Sequence, residues 1–135
     1  MKALTLWEPY ASLIAEGHKR YETRNWSTSY RGFLAIHASK KWDGALKRET
    51  EWLAGQFAVL SNYFDRSFPL GCVLCAVELV DVHRTEDIRD ELSELELAVG
   101  NYADRRFAWE MKVVKVPDAP IPAKGQQGIW EWTRE

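Results

Sequence analysis

The predicted secondary structure changes from helix to extended chain at the stretch Gly17-His18-Lys19-Arg20-Tyr21-Glu22-Thr23-Arg24. Residues 9–16 before it place apolar side chains at helical spacing, and Gly17 suits the left-handed conformation that often ends a helix. The residues after it favour an extended segment. We therefore expect a short helix over residues 9–16, a turn at Gly17, and an extended chain beyond it.

Three charged side chains of this stretch, Lys19, Glu22 and Arg24, lie within six residues of one another. A cation, a carboxylate and a guanidinium group at this spacing can bind a phosphate, a carbonyl or a base edge. They can equally pair with one another on a solvated turn, since exposed ion pairs are common and weak. Side chains alternate along a regular strand, so Lys19 and Glu22 can converge only if Lys19 lies in the turn.

The same stretch resembles the signature of a known family. Gly17-x-Lys19-x-x-Glu22-x-Arg24 is similar to the GxKxxExR signature of ASCH (activating signal cointegrator homology) domains. Residues 4–14, 36–38 and 125–130 also resemble the family, in its order along the chain, although Glu8 stands where the family often has glutamine. The resemblance implies a PUA-like β-barrel with helices packed around it, as a single domain over residues 1–135.

The predicted elements independently indicate the α+β class. Five segments have the residue pattern of strands: residues 3–6, 32–39, 71–82, 106–116 and 128–132. Asp43 suits the N-cap of a helix through about residue 58, and a charged helix is predicted over residues 86–99. This order is not a regular strand–helix alternation, so it indicates a mostly antiparallel sheet.

Size and charge limit the class of protein. The 135 residues are 46% hydrophobic, which fits one domain with its own core, and no segment is predicted to be a signal peptide or to cross a bilayer. We therefore expect a soluble, cytoplasmic protein. The net charge of −2 argues against a general polyanion binder.

The charge is unevenly distributed along the chain. Residues 18–48 hold eight basic side chains against two acidic ones, whereas residues 85–96 hold six acidic side chains against one basic. The first segment can form a surface that attracts phosphate. The alternative is that the two segments are solvated helical faces of opposite sign.

Two features of the predicted strand 71–82 invite a chemical interpretation. Cys72 and Cys75 form a C-x-x-C pair, but residues three apart on a regular strand point to opposite faces. We therefore expect two reduced, buried thiols and predict no metal site and no cofactor. Glu78 needs a basic partner if it is buried, and the alternative is that it lies hydrated at an open end of the barrel.

The resemblance implies a function in nucleic-acid recognition, because ASCH and PUA-like domains are associated with RNA and nucleosides. The expected partner is RNA, single-stranded nucleic acid or a modified nucleoside. Cations among the candidate residues can hold phosphate, and aromatic rings can stack on bases. The candidate binding residues are Trp7, Tyr10, Lys19, Arg24, Trp26, Arg31, His37, Lys40 and Lys41.

An enzyme is the alternative that the resemblance leaves open. Some small ASCH proteins hydrolyse the acetyl group from acetylated cytidine, using the motif lysine, a threonine three residues later and a distant glutamate; other members are reported to cleave RNA. Lys19 matches the lysine and Glu22 stands in place of the threonine. Glu78 and the acidic segment 86–96 are candidates for the distant glutamate. The candidate catalytic residues are therefore Lys19, Glu22 and Glu78, and a protein-interaction adaptor is a third interpretation.

The environment of Lys19 distinguishes binding from catalysis. An accessible lysine beside Glu22 stays protonated and acts as an anion clamp. A hydrolase needs Lys19 desolvated, with its pKa lowered enough to take a proton. Because Glu22 opposes such a shift in the pKa of Lys19, the sequence favours binding.

Overall fold

One seven-stranded sheet organises the structure, a computed structural model that describes residues 1–134. The strands are β1 (Lys2–Leu6), β2 (Tyr21–Arg24), β3 (Gly32–Ala38), β4 (Cys72–Arg84), β5 (Phe107–Lys115), β6 (Ile121–Pro122) and β7 (Ile129–Glu131). The helices are α1 (Tyr10–Ala15), α2 (Gly44–Gln56), α3 (Thr85–Ile88) and α4 (Glu94–Ala98), with 3-10 turns at Ala58–Tyr63 and Arg89–Glu91.

The sheet is mixed and mostly antiparallel. Its strand order is β2-β5-β4-β3-β1-β7, with β6 paired to the end of β4. Within residues 1–134, β1 and β3 form a parallel pair, and the other strand pairs are antiparallel. The sheet curls into a half-barrel with β2 and β7 at its two ends and several helices around it. This confirms the predicted barrel-like α+β fold.

Helix α1 packs on the sheet and delivers the chain to the charged stretch. Leu13 and Ile14 are fully buried, and Gly17 ends the helix with a φ of +83°, as its sequence predicts. The start of the helix is held by Glu8, which is buried and accepts hydrogen bonds from Ser12 N at 2.8 Å and Ser12 Oγ at 2.6 Å. Glu8 is therefore a structural residue.

A β-bulge in β4 overturns the argument about the cysteines. Ile36 pairs with Cys75 while the adjacent His37 pairs with Val73, so one extra residue of β4 is inserted there. The insertion brings Cys72 and Cys75 onto the same face, and both contact the main hydrophobic cluster. Cys75 is buried, Cys72 is partly exposed, and both are free thiols.

One expectation about the helices is wrong. The single helix predicted over residues 86–99 is broken into α3, a 3-10 turn and α4, because Ser93 accepts a hydrogen bond from Glu96 N at 3.1 Å and starts a new helix.

Glu78 is exposed opposite Phe33 and Lys112. Of the two alternatives for this residue, the hydrated carboxylate therefore applies, and the buried one with a basic partner does not. Across residues 1–134, no helix has both the length and the apolar character needed to span a bilayer.

Candidate functional site

Two neighbouring cavities lie where β1, α1 and β2 meet. Thr5, Trp7, Arg24 and Trp26 line both of them. The larger cavity has a volume of about 1180 Å³ and the smaller one about 570 Å³. Trp7 is 50% exposed, whereas Trp26 packs edge-on against the buried Trp109 with ring centroids 4.7 Å apart. One indole is therefore half exposed to solvent, and the other is held by a buried ring.

The larger cavity is bordered by the end of β3 and by the loop that precedes β7. Its other lining residues are His37, Ser39, Lys40, Gly71 and residues 122–128. Lys40 and Lys124 are exposed cations, and the part of the chain that the structure describes places no aspartate or glutamate in this lining. The lining therefore favours an anion.

His37 is buried beside this cavity and holds the loop in place. Its Nε2 lies 2.7 Å from the carbonyl oxygen of Ala123, and Nε2 must donate because a carbonyl only accepts. Nδ1 then accepts from Thr5 Oγ1 at 3.2 Å, and Thr5 Oγ1 accepts from Trp130 Nε1 at 3.0 Å. Burial lowers the pKa of His37, which favours this neutral form. His37 therefore supports the wall of the cavity.

The smaller cavity has a different chemistry. Its other lining residues are Tyr10, Glu22, Thr23, Asn25, Glu49, Ala98, Val99, Gly100, Asn101 and Arg106. Two carboxylates and two side-chain amides are among them, and they provide both donors and acceptors of hydrogen bonds. Burial and the nearby Glu49 raise the pKa of Tyr10, so its hydroxyl stays protonated. Such a lining suits a polar, neutral ring.

The charged residues of the organising stretch converge as predicted. Arg24 Nη2 donates to the carbonyl oxygen of Thr5 at 2.9 Å. Arg24 Nε lies 3.2 Å from Glu22 Oε2, and Lys19 Nζ lies 3.8 Å from Glu22 Oε1. Within residues 1–134, Arg24 Nε has no hydrogen-bond partner, so its contact with Glu22 is an ion pair without hydrogen-bond geometry.

Lys19 is not accessible to a ligand. The residue is 3% exposed, and its Nζ donates to the carbonyl oxygen of Val99. The ammonium group also lies 5.7 Å from the ring centre of Tyr10. Burial lowers the pKa of Lys19, while the carboxylates of Glu22 and Glu96 raise it. The expectation of an exposed anion clamp at Lys19 is therefore wrong.

Glu96 is a buried partner of this group that sequence reasoning did not single out. The residue is 8% exposed, and its Oε1 accepts from Arg20 N at 2.8 Å. Burial raises the pKa of Glu96, whereas the Arg20 hydrogen bond and the charge of Lys19 lower it. Glu96 Oε2 and the hydroxyl of Tyr102 are buried without a hydrogen-bond partner in the described part of the chain. The acidic segment 86–96 contained this residue, but its composition did not distinguish Glu96 from its neighbours.

The structure brings most of the predicted binding and catalytic residues together. Those that line one or both cavities are Trp7, Tyr10, Glu22, Arg24, Trp26, His37 and Lys40. Lys41 lines neither cavity, but its Nζ lies 3.8 Å from the ring centre of Trp7, which lines both. Arg31 pairs with Asp81 at 3.2 Å and lines neither cavity, and Glu78 lines neither as well.

The basic segment 18–48 does not form a single surface. Lys19 is buried, Arg20 pairs with Glu110 at 3.1 Å, and Lys47 pairs with Glu51 at 3.6 Å. The cavities instead gain cations from distant parts of the chain, Arg106 and Lys124. For Lys124, the only sequence signal is the resemblance over residues 125–130, which begins one residue after it.

The described residues contain no group of three or more His, Cys, Asp or Glu side chains placed to hold a metal ion. The two cavities are thus defined by aromatic rings, cations, carboxylates and amides. Recognition of a ligand by stacking and hydrogen bonding is the chemistry that such residues support.

Comparisons with known proteins agree with this fold and with the signature. The ASCH domain profile matches residues 4–120. Activating signal cointegrator 1 of Homo sapiens and that of Mus musculus are each 28% identical over 131 residues, which is 95% of this chain. The chain spans only 22% of the length of these two relatives.

Solved structures show the same fold. The crystal structure of ASCH from Zymomonas mobilis superposes with a TM-score of 0.57 at 15% identity, covering 99% of this chain and 87% of that chain. A single-residue variant of the same protein gives a TM-score of 0.55 at 15% identity, with 99% and 88% covered. The profile match over residues 4–120 shows that the chain belongs to the ASCH domain family, which is associated with RNA binding.

Proposed function

We propose that this protein binds RNA or another single-stranded nucleic acid, or a modified nucleoside, in the two adjoining cavities. The observation that carries the proposal is the shared wall, in which Trp7, Trp26 and Arg24 face both cavities. An aromatic ring can stack on any base, and a guanidinium group can bind phosphate or a base edge. The family's association with RNA supports the same conclusion.

The expected binding free energies indicate a weak but measurable interaction between the protein and RNA. Stacking of one base on an aromatic side chain contributes about 1–3 kcal/mol. Lys41 lies over Trp7 and can add a cation to the same surface. Because the chain carries a net charge of −2, binding depends on the local cations rather than on the total charge.

Salt and charge reversal test the proposal. We expect the affinity for a short single-stranded RNA to fall as salt rises, because phosphate contacts release counterions. The double variant Lys40→Glu/Lys41→Glu should bind at least about tenfold more weakly, since each charged hydrogen bond contributes about 1.5–3 kcal/mol. Fluorescence anisotropy with labelled RNA at several salt concentrations measures both effects.

The matched control is Lys112→Glu/Lys115→Glu, which reverses two exposed charges of β5 that line neither cavity. We expect this control to change the affinity far less than the Lys40/Lys41 variant. Equal losses in the two double variants, or binding that is insensitive to salt, would contradict the proposed surface.

Hydrolysis is a second candidate because Lys19 is desolvated and burial lowers its pKa, as a catalytic lysine requires. Glu22 and Glu96 oppose this shift in the pKa of Lys19, and its Nζ is bonded to the Val99 carbonyl, so binding remains the preferred function. The test is incubation of acetylated cytidine with the wild type and with Lys19→Ala, at a temperature where both are folded. Release of cytidine by the wild type alone would make the protein an amidohydrolase and reverse this order.

A further inference from the structure

We infer that the two cavities divide a nucleotide between them, with a phosphate group in the larger cavity and the base in the smaller one. This inference rests on the proposed function and narrows its ligand from a nucleoside to a phosphorylated nucleotide or an oligonucleotide. It follows from the unequal distribution of charge on the two sides of the shared wall.

The larger cavity is suited to phosphate because its charged side chains are cations. Lys40 comes from the segment after β3 and Lys124 from the loop before β7, so two separate parts of the chain bring positive charge to one space. The hydroxyl of Ser39 and the amides of Gln126 and Gln127 supply neutral hydrogen-bond donors. Among residues 1–134, no carboxylate lines this cavity to repel an anion.

The smaller cavity is poorly suited to phosphate and well suited to a base edge. Glu22 and Glu49 offset the positive charges of Arg24 and Arg106, which also line this cavity, so it lacks the net positive charge of the larger one. The carboxylate oxygens can accept hydrogen bonds from an exocyclic amino group. The amides of Asn25 and Asn101 can pair with the neighbouring ring nitrogens and carbonyl groups of a base. The volume of about 570 Å³ accommodates one base with its sugar.

Arg24 and the two indoles form the boundary between these environments. Arg24 uses one Nη2 hydrogen for Thr5 and has further N–H donors, and the residue lines both cavities. Trp7 is half exposed and can stack on the base or on its neighbour along a strand. A nucleotide that spans this boundary can place its phosphate in the larger cavity and its base in the smaller one. A nucleoside has no phosphate for the larger cavity.

The first test compares cytidine with its 5′- and 3′-monophosphates by isothermal titration calorimetry. The better monophosphate should bind at least about tenfold more tightly than the nucleoside, because a charged hydrogen bond to phosphate is among the stronger polar contacts. In Lys40→Ala/Lys124→Ala this advantage should fall below about twofold. In the control Lys112→Ala/Lys115→Ala the advantage should remain.

The second test compares cytidine monophosphate with uridine monophosphate and adenosine monophosphate with inosine monophosphate. In each pair a carbonyl group replaces the exocyclic amino group, and the adjacent ring nitrogen gains a proton. The amino-bearing member of each pair should bind about fivefold more tightly, as expected for one additional hydrogen bond. The variant Glu49→Ala, at an exposed residue, should reduce the preference for the amino-bearing nucleotide and leave the phosphate advantage intact. Equal affinities within both pairs would contradict the placement of the base.

The outcomes separate this inference from the proposed function. If RNA or nucleotides bind but the Lys40/Lys124 variant keeps the full phosphate advantage, the division of the ligand is wrong and the proposed function stands. If nucleosides, nucleotides and single-stranded RNA all fail to bind the folded wild type, both are wrong.

Discussion

Lys19 is a buried cation that shares its surroundings with two carboxylates. Its contacts connect the turn after α1 with Glu22 on β2 and with the carbonyl of Val99, which lies 80 residues further along the chain. Removing one partner of such a buried group leaves the other charges uncompensated. The residue therefore contributes to stability whether or not it takes part in chemistry.

The first prediction concerns the variant Lys19→Met, which keeps the volume of the side chain and removes its charge. We expect the free energy of unfolding to fall by about 3 kcal/mol or more at pH 8. Burial already raises the pKa of Glu96, and loss of the Lys19 charge raises it further. A raised folded-state pKa gives stability that is present at low pH and lost as the pH rises through it, so the deficit should be smaller near pH 5.

Urea denaturation at the two pH values measures this effect. Lys47→Met is the matched control, because Lys47 is exposed and pairs with Glu51 one helical turn away. We expect this control to change stability little at either pH. A Lys19→Met variant as stable as the wild type at pH 8 would show that the buried charges do not depend on Lys19.

Among the elements, the loop before β7 determines the shape of the larger cavity. Gly125 packs so closely on His37 that a Cβ at this position would lie 2.6 Å from His37 Cε1 and 2.9 Å from Thr5 Oγ1. The hydrogen bonds of His37 to Ala123 and Thr5 hold both sides of this contact. The loop therefore has little freedom to shift.

We predict that Gly125→Ala lowers the free energy of unfolding by about 1–3 kcal/mol, the usual cost of overpacking, and weakens RNA binding. Gly55→Ala is the control, because nothing lies within 4 Å of a Cβ at this position of α2. An alanine there should be neutral or stabilise the helix by up to about 1 kcal/mol. Chemical denaturation and RNA anisotropy compare the two, and a fully stable, fully binding Gly125→Ala would contradict the role of the loop.

The sequence predicted the helix ends that depend on residues nearby in the chain. Gly17 ends α1 and Asp43 caps α2 by accepting from Leu46 N at 3.0 Å, as the sequence indicates. The β-bulge beside Cys75 was not predicted, because it depends on pairing with a neighbouring strand. The break at Ser93 has a local signal, the Ser93 side chain that caps α4, which the sequence interpretation of residues 86–99 did not use. A regular alternation in the sequence does not report where a strand gains an extra residue.

For the whole molecule, the family resemblance predicted a β-barrel with helices around it, and the sheet curls into a half-barrel. The charge pattern predicted too large a binding surface. Lys40 and Lys41 lie at the cavities, but Lys19 is buried and Arg31 pairs elsewhere. Lys124 was missed because it is separated in sequence from the other basic residues. Net charge along a segment does not show which side chains the fold brings together.

The position of the ligand is the central claim, and tryptophan indole NMR tests it most directly. Trp7 and Trp52 are similarly exposed, at 50% and 54%, but Trp7 lines both cavities and Trp52 lines neither. In a titration of ¹⁵N-tryptophan-labelled protein with short single-stranded RNA, the indole signals of Trp7 and Trp26 should move together and saturate, while that of Trp52 stays in place. Saturable shifts at Trp52 with none at Trp7 and Trp26, or no shifts at any indole, would contradict the account.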